Sequence, residues 1–182
     1  MRKEIVLSGY GGQGLLMAGV LLGEAIAVYE GKNVTQNQSY GVQARGGTSR
    51  SEVIVSDEEI NYAEIEEPDI LLAMSQSALN EYGPKVRKNA LVIVDSAFVE
   101  DVSAVQNTDN IYRIPITEVS RERTGKPMLA NVVALGALAK LSGIVSQGGM
   151  EQEIAKRAPE GTEDINMLAL AGGIAEAEKL LK

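Results

Sequence analysis

The chain has 182 residues, 45% of them apolar and only 4% aromatic, and a formal net charge of −8. That length suits one domain, 1–182, with a core built from Ala, Val, Ile and Leu, and the acidic balance argues against nucleic acid as a main partner, because phosphate backbones are held by clustered Lys and Arg. Cys and His are both absent, which excludes disulfides, cysteine-ligated iron–sulfur clusters, a thiolate nucleophile and an imidazole base, and removes the commonest zinc ligand.

Residues 1–3 are basic, but Glu4, Ser8 and the glycines after them interrupt any leader-type apolar segment. The apolar tract 128–144 contains Asn131, Gly136, Lys140 and Ser142, and a bilayer span needs about 20 apolar residues. No membrane association is expected, and the cytoplasm is the default location.

Residues 4–7 read as a buried strand. Residues 14–29 read as a helix with Leu15, Ala18, Leu22, Ala25, Ile26 and Tyr29 on one face. Met17, Val20, Leu21 and Val28 extend its apolar surface almost all round, with Glu24 its only charge, so burial against more than one neighbour is expected. Gly31 ends it. Residues 33–39 are polar but compatible with an extended chain, and 48–55 alternate as a strand does. The acidic stretch 57–67 reads as solvated.

Residues 70–74 form a short buried strand, after which Ser75 caps a helix over 76–82 that Gly83-Pro84 stops. Residues 90–95 give the clearest strand and 111–114 another. A short helix is expected over 116–123 and a largely buried one over 129–141. Residues 149–157 pattern as an amphipathic helix with Glu153 and Arg157 one turn apart. Thr162 is placed to cap the last helix, whose middle Gly172-Gly173 weakens. Strands alternating with helices imply an α/β fold: three layers, a mostly parallel sheet with helices on both faces, and a Rossmann-like first βα unit.

Ser8-Gly9-Tyr10-Gly11-Gly12-Gln13-Gly14 lies between the first strand and first helix. Glycines without Cβ atoms, leading into a helix N-terminus, can bring backbone N–H groups to a phosphate. Gly9, Gly11 and Gly14 match the dinucleotide fingerprint in spacing, which makes a stand-alone dinucleotide-binding oxidoreductase one reading. That fingerprint expects an acid about 20 residues on to hold the ribose, and residues 34–39 contain none. A tight turn that binds nothing is the other plain reading.

The segment Tyr40-Gly41-Val42-Gln43-Ala44-Arg45-Gly46-Gly47 forms a second glycine-rich loop. Its Arg45 suits a bidentate contact with carboxylate or phosphate, or equally an ion pair within this acidic chain. Asp95 ends a strand and reads first as a turn or helix cap. Asn131 reads as a satisfied polar group near the loop of Lys126, itself exposed. The chain has no Walker loop and no Gly-Asp pair of the thiamine-diphosphate type.

Three stretches together carry a resemblance: Gly9-Tyr10-Gly11-Gly12-Gln13-Gly14; Tyr40-Gly41-Val42-Gln43-Ala44-Arg45-Gly46-Gly47-Thr48 with Ser51-Glu52-Val53; and Asn131-Val132-Val133-Ala134-Leu135-Gly136. The chain resembles the gamma subunit of 2-oxoacid:ferredoxin oxidoreductases from Ile5 to its last helix. It looks most like the 2-oxoglutarate type, with the pyruvate and ketoisovalerate types close. The resemblance implies a complex that converts a 2-oxoacid to an acyl-CoA and reduces ferredoxin. That complex would use thiamine diphosphate, Mg, iron–sulfur clusters and coenzyme A, and would contain alpha and beta subunits, with delta as a further candidate. The resemblance implies no catalytic or metal-binding residue in this chain. It implies a coenzyme A or phosphate contact at Gly11, Gly12, Gln13 and Gly14, and an interface or active-site edge at Tyr40, Arg45, Gly46, Gly47 and Asn131. A purely structural interaction subunit is the remaining alternative.

Overall fold

A computed structural model describes residues 1–40 and 47–182. One six-stranded sheet runs through it, built from β1 (Arg2–Tyr10), β2 (Asn33–Tyr40), β3 (Thr48–Ser56), β4 (Ile70–Ala73), β5 (Leu91–Asp95) and β6 (Ile111–Ile114). The order across the sheet is β2-β3-β1-β4-β5-β6. β1, β4, β5 and β6 are successively parallel, whereas β3 is antiparallel to both β1 and β2. The sheet is therefore mostly parallel, with one reversed strand.

Alternation along the central strands sends side chains to two cores. Ile5, Leu7, Ile70, Leu72, Leu91 and Ile93 face the larger core, while Val6, Leu71, Ala73, Val92 and Val94 face the smaller. The larger core is covered by α1 (Leu15–Tyr29), α4 (Ala130–Ser142), α5 (Gln147–Arg157) and α6 (Glu163–Leu180), with buried side chains of α3 (Ile116–Thr124) closing it. On the other face lies α2 (Gln76–Tyr82), through Ala78, Leu79 and Tyr82.

Ser75 caps α2 as its sequence indicates, its Oγ accepting from the Ala78 N–H at 3.2 Å. Thr162 precedes α6 but makes no capping bond; its hydroxyl donates instead to the Pro159 carbonyl at 2.6 Å. α6 continues through Gly172-Gly173 because tertiary packing outweighs local propensity. A Cβ on Gly173 would stand 1.8 Å from the Val133 carbonyl oxygen, and one on Gly136 would stand 2.2 Å from that of Leu170. The glycines let α4 and α6 cross backbone to backbone. α1 departs from the expected all-round burial: Met17 and Val28 are 56% and 60% exposed. Among the described residues, no helix is long and apolar enough to cross a membrane.

Candidate functional site

The parallel strands point their C-terminal ends to one edge of the sheet, where ligands of open α/β sheets usually sit. β1 runs through Gly9 and Tyr10, further than the apolar run alone suggests, and delivers the loop Gly11–Gly14 to that edge. α1 comes next with Gly14 at its N-cap, φ +74°, and no side-chain cap. Gly11 and Gly12 are exposed. Gly12, at φ +91°, has none of the described residues within 4 Å of where a Cβ would stand. Among the described residues, the N-terminus of α1 thus keeps backbone donors that no side chain uses.

Gln13 does not face outward. Its Oε1 accepts from the Tyr10 N–H at 2.7 Å and its Nε2 donates to the Met74 carbonyl at 3.0 Å. The side chain thereby ties the end of β1 to the residue after β4. It lies so close over Gly9 that a Cβ there would stand 2.2 Å from Oε1. Both polar ends of the Gln13 amide are committed inside the protein.

Asn131 comes to the same place from the far end of the sequence. Its Nδ2 donates at 3.2 Å to the Gly14 carbonyl, which also accepts from the Ala18 N–H at 3.0 Å. A Cβ on Gly14 would meet that Nδ2 at 2.6 Å. The third arrival is Gly47, whose carbonyl accepts from the Gly11 N–H at 3.2 Å. The structure therefore gathers Gly11, Gly12, Gln13, Gly14, Gly47 and Asn131. Tyr40 ends β2, its backbone in register with Ser49. Arg45 and Gly46, and with them most of the second glycine loop, lie outside the described residues.

Beside the glycine loop opens a groove of about 400 Å³, bordered by Gly12, Met17, Met128, Leu129, Asn131 and Arg157. Met128 is 72% exposed, and sequence reasoning passed it over. Its signal was an apolar residue beside the otherwise polar 124–127 loop. Arg157 holds the polar end. Its Nε donates to Glu24 at 2.9 Å and to Glu153 at 3.3 Å. These bonds hold the Glu24 carboxyl below its usual range, while burial and the facing Glu24 push Glu153 above it.

Asp95 is a cap, as its place at a strand end indicates. It is fully buried and accepts from the Thr117 N–H at 3.1 Å, the Thr117 hydroxyl at 2.5 Å and the Ala97 N–H at 3.1 Å. Burial raises its pKa against the pull of those bonds. Lys126 is exposed as expected.

The dinucleotide reading fails on topology as well as on its missing acid. In that fold the second strand lies beside the first, which brings its acid to the ribose. Here β3 separates β2 from β1.

Residues 4–176 match the family of pyruvate ferredoxin/flavodoxin oxidoreductases. The 2-oxoglutarate synthase subunit KorC of Methanocaldococcus jannaschii is 44% identical over 180 residues, covering 99% of this chain and 96% of that one. The gamma subunit of a keto/oxoacid ferredoxin oxidoreductase from Geobacter sulfurreducens superposes with a TM-score of 0.89 at 36% identity, covering 98% of each chain. A 2-oxoglutarate:ferredoxin oxidoreductase from Magnetococcus marinus, solved with 2-oxoglutarate, coenzyme A and succinyl-CoA bound, shares the fold over 98% of this chain and 31% of its own, with a TM-score of 0.87 at 21% identity. The chain belongs to the pyruvate ferredoxin/flavodoxin oxidoreductase family.

Proposed function

We propose that the chain is the gamma subunit of a cytoplasmic 2-oxoglutarate:ferredoxin oxidoreductase, inactive alone and active with alpha and beta subunits of the same complex, with delta as a further candidate. What carries this reading is the near-complete match to KorC chains named as 2-oxoglutarate synthase subunits. The complex converts the 2-oxoacid to its acyl-CoA and passes electrons to ferredoxin. Thiamine diphosphate with Mg, and the iron–sulfur clusters, belong to the partner chains in this reading. This chain offers no Cys or His, and its described residues hold no cluster of acids fit for a metal. Residues 1–182 are taken as one domain, in keeping with the single sheet.

Within the complex, the glycine loop and its groove are proposed to meet coenzyme A. The fit rests on three observations: Gly11 and Gly12 are exposed, α1 begins without a side-chain cap, and the adjoining groove is walled by Met17, Met128 and Leu129. Backbone N–H groups at the loop would hold a phosphate, and the thioether and aliphatic walls would take an apolar stem. Gln13 and Asn131 contribute by fixing the loop, one through Met74 and the other through Gly14. Gly47 buttresses Gly11, and with Tyr40, Arg45 and Gly46 is assigned to the interface or active-site edge.

A purely structural role is the second reading, favoured by the internal commitment of the Gln13 amide. Gly11→Asp separates the two. Among the described residues the nearest neighbour of a Cβ at Gly11 is the Gly47 oxygen at 3.8 Å, so the variant should fold, and its assembly is checked by mass before kinetics. With a carboxylate at the loop, the KM for coenzyme A in the reconstituted complex should rise at least tenfold, with the KM for the 2-oxoacid unchanged. An assembled variant complex with normal coenzyme A dependence would leave only the structural role. Omission of the chain should abolish turnover, and full activity without it would overturn the subunit assignment.

A further inference from the structure

The two edges of the sheet are treated differently. β6 has four residues, runs into Pro115, and is tied down by Arg113, whose guanidinium donates to the carbonyls of Val99 at 3.0 Å and Glu100 at 3.2 Å. β2, at the other edge, has eight residues, Asn-Val-Thr-Gln-Asn-Gln-Ser-Tyr, with no charge and no proline. Among the described residues its backbone pairs only with β3, while on its faces the Asn37 Nδ2 donates to the Ala63 carbonyl at 2.9 Å and the Asn33 Nδ2 to that of Asp57 at 3.4 Å. Exposed edges of this length are normally blunted by lysine, proline or a bulge, because their free N–H and C=O groups recruit other strands.

We infer that β2 is a self-association edge: two copies of this chain pair their β2 strands antiparallel about a two-fold axis, joining two six-stranded sheets into one. Symmetry selects a second copy over a foreign strand. In an isologous antiparallel pair every residue near the axis faces itself or a close neighbour of its own copy. Any charge there would oppose a like charge, which is destabilising. β2 meets that requirement by carrying none. A foreign strand would be selected by complementary charge, and this edge has none to select with. Lys32, which precedes the strand, is turned into an ion pair with Asp57, and Arg50 and Glu52 on the neighbouring β3 pair with each other.

The flank of the edge supports the same geometry. An axis perpendicular to the sheet brings the two α1 helices to the same side of the seam. There an open depression of about 280 Å³ lies between α1 and β2, lined by Val20, Gly23, Glu24, Ala27, Val34 and Gln36. Its single acid, Glu24, is neutralised by Arg157. A small-residue flank of this kind lets a second α1 approach beside the new strand pair. An axis through Gln36 or Asn37 uses most of the strand, and both registers set uncharged residues opposite one another.

The absence of cysteine makes the test direct. Residues opposite one another in an antiparallel pair have Cα atoms about 4.5–5.5 Å apart, within disulfide range. Gln36→Cys, Asn37→Cys and, as the control on β6, Arg113→Cys are oxidised in the full-length chain, and mass is tracked by light scattering over a range of concentrations. The expected result is a concentration-dependent dimer, trapped by a disulfide at position 36 or 37 and not at 113. Gln38→Lys, at an exposed site, should raise the dimer dissociation constant at least tenfold with an unchanged circular-dichroism spectrum. A chain that stays monomeric at all concentrations and is not cross-linked at 36 or 37 would overturn the inference. So would a dimer that Gln38→Lys leaves intact, or a reconstituted hetero-complex in which β2 becomes protected from hydrogen exchange while the isolated chain remains monomeric.

Discussion

Replacing Gln13 by Ala removes the bond to the Tyr10 N–H at 2.7 Å and the bond to the Met74 carbonyl at 3.0 Å. The two losses are unequal. Tyr10 is 41% exposed, so water replaces the first partner, at a cost of about 0.5 kcal/mol. Met74 is fully buried, and its carbonyl would be left without a donor, at a cost of about 2 kcal/mol. The sum, about 2.5 kcal/mol, corresponds to a fall in Tm of roughly 5–10 °C for a chain of this size. Urea unfolding of the isolated chain measures the loss, and steady-state kinetics of the reconstituted complex measure the KM for coenzyme A. If Gln13 only positions the loop, the variant is destabilised by the stated amount and any rise in KM comes from a displaced loop. A variant within about 0.5 kcal/mol of wild type whose KM for coenzyme A nonetheless rises tenfold would refute the positioning role, since Gln13 would then be contacting the ligand.

Two glycine substitutions should have opposite signs. Gly173→Ala should destabilise by about 2 kcal/mol, because its methyl meets the Val133 backbone and overpacking outweighs the gain in helix propensity. Gly148→Ala, in α5 with open space around it, should stabilise by about 0.5 kcal/mol; thermal melts of the pair check both. Asp57, held by Lys32 and the N-terminal ammonium, should titrate near pH 2 by NMR instead of at its ordinary value of 3.8. Because its folded pKa is depressed, the stability it contributes is present above pH 3.8 and lost as pH falls through about 2; in Lys32→Ala the titration should move upward. Asp95→Ala should cost about 3 kcal/mol by leaving the Thr117 N–H, the Thr117 hydroxyl and the Ala97 N–H without their acceptor, read as a shift of the urea midpoint.

Much of this architecture is legible in the chain because it depends on neighbours in sequence. The alternation of Ile70-Leu71-Leu72-Ala73 and of Leu91-Val92-Ile93-Val94 sends residues to two faces and so requires two cores. Ser75 stands where it must cap α2, and Asp95 at a strand end is a cap by the same chemistry. The glycine stretch, together with the Arg-Gly-Gly loop and the Asn131 segment, is specific enough to indicate the family.

Other features rest on contacts between residues far apart in the chain, which only the folded arrangement creates. Nothing local places β3 between β1 and β2, because strand order depends on how the whole sheet closes its cores. Gln13 resembles a ligand group until Met74, 61 residues away, is found to hold its amide. Asn131 looks like an ordinary helix residue until it reaches the Gly14 carbonyl across 117 residues. Gly172-Gly173 reads as a weak point in α6 until α4 is seen crossing there with no room for a side chain. Periodicity and capping are properties of a few consecutive residues, so the amino-acid sequence alone determined most of the elements and the two faces of the central strands, though not the exposed side of α1 or the start of α6. Hydrogen bonds and close approaches across the fold are properties of pairs, and only the tertiary structure decided which side chains brace the loop and which groups are left to meet a partner.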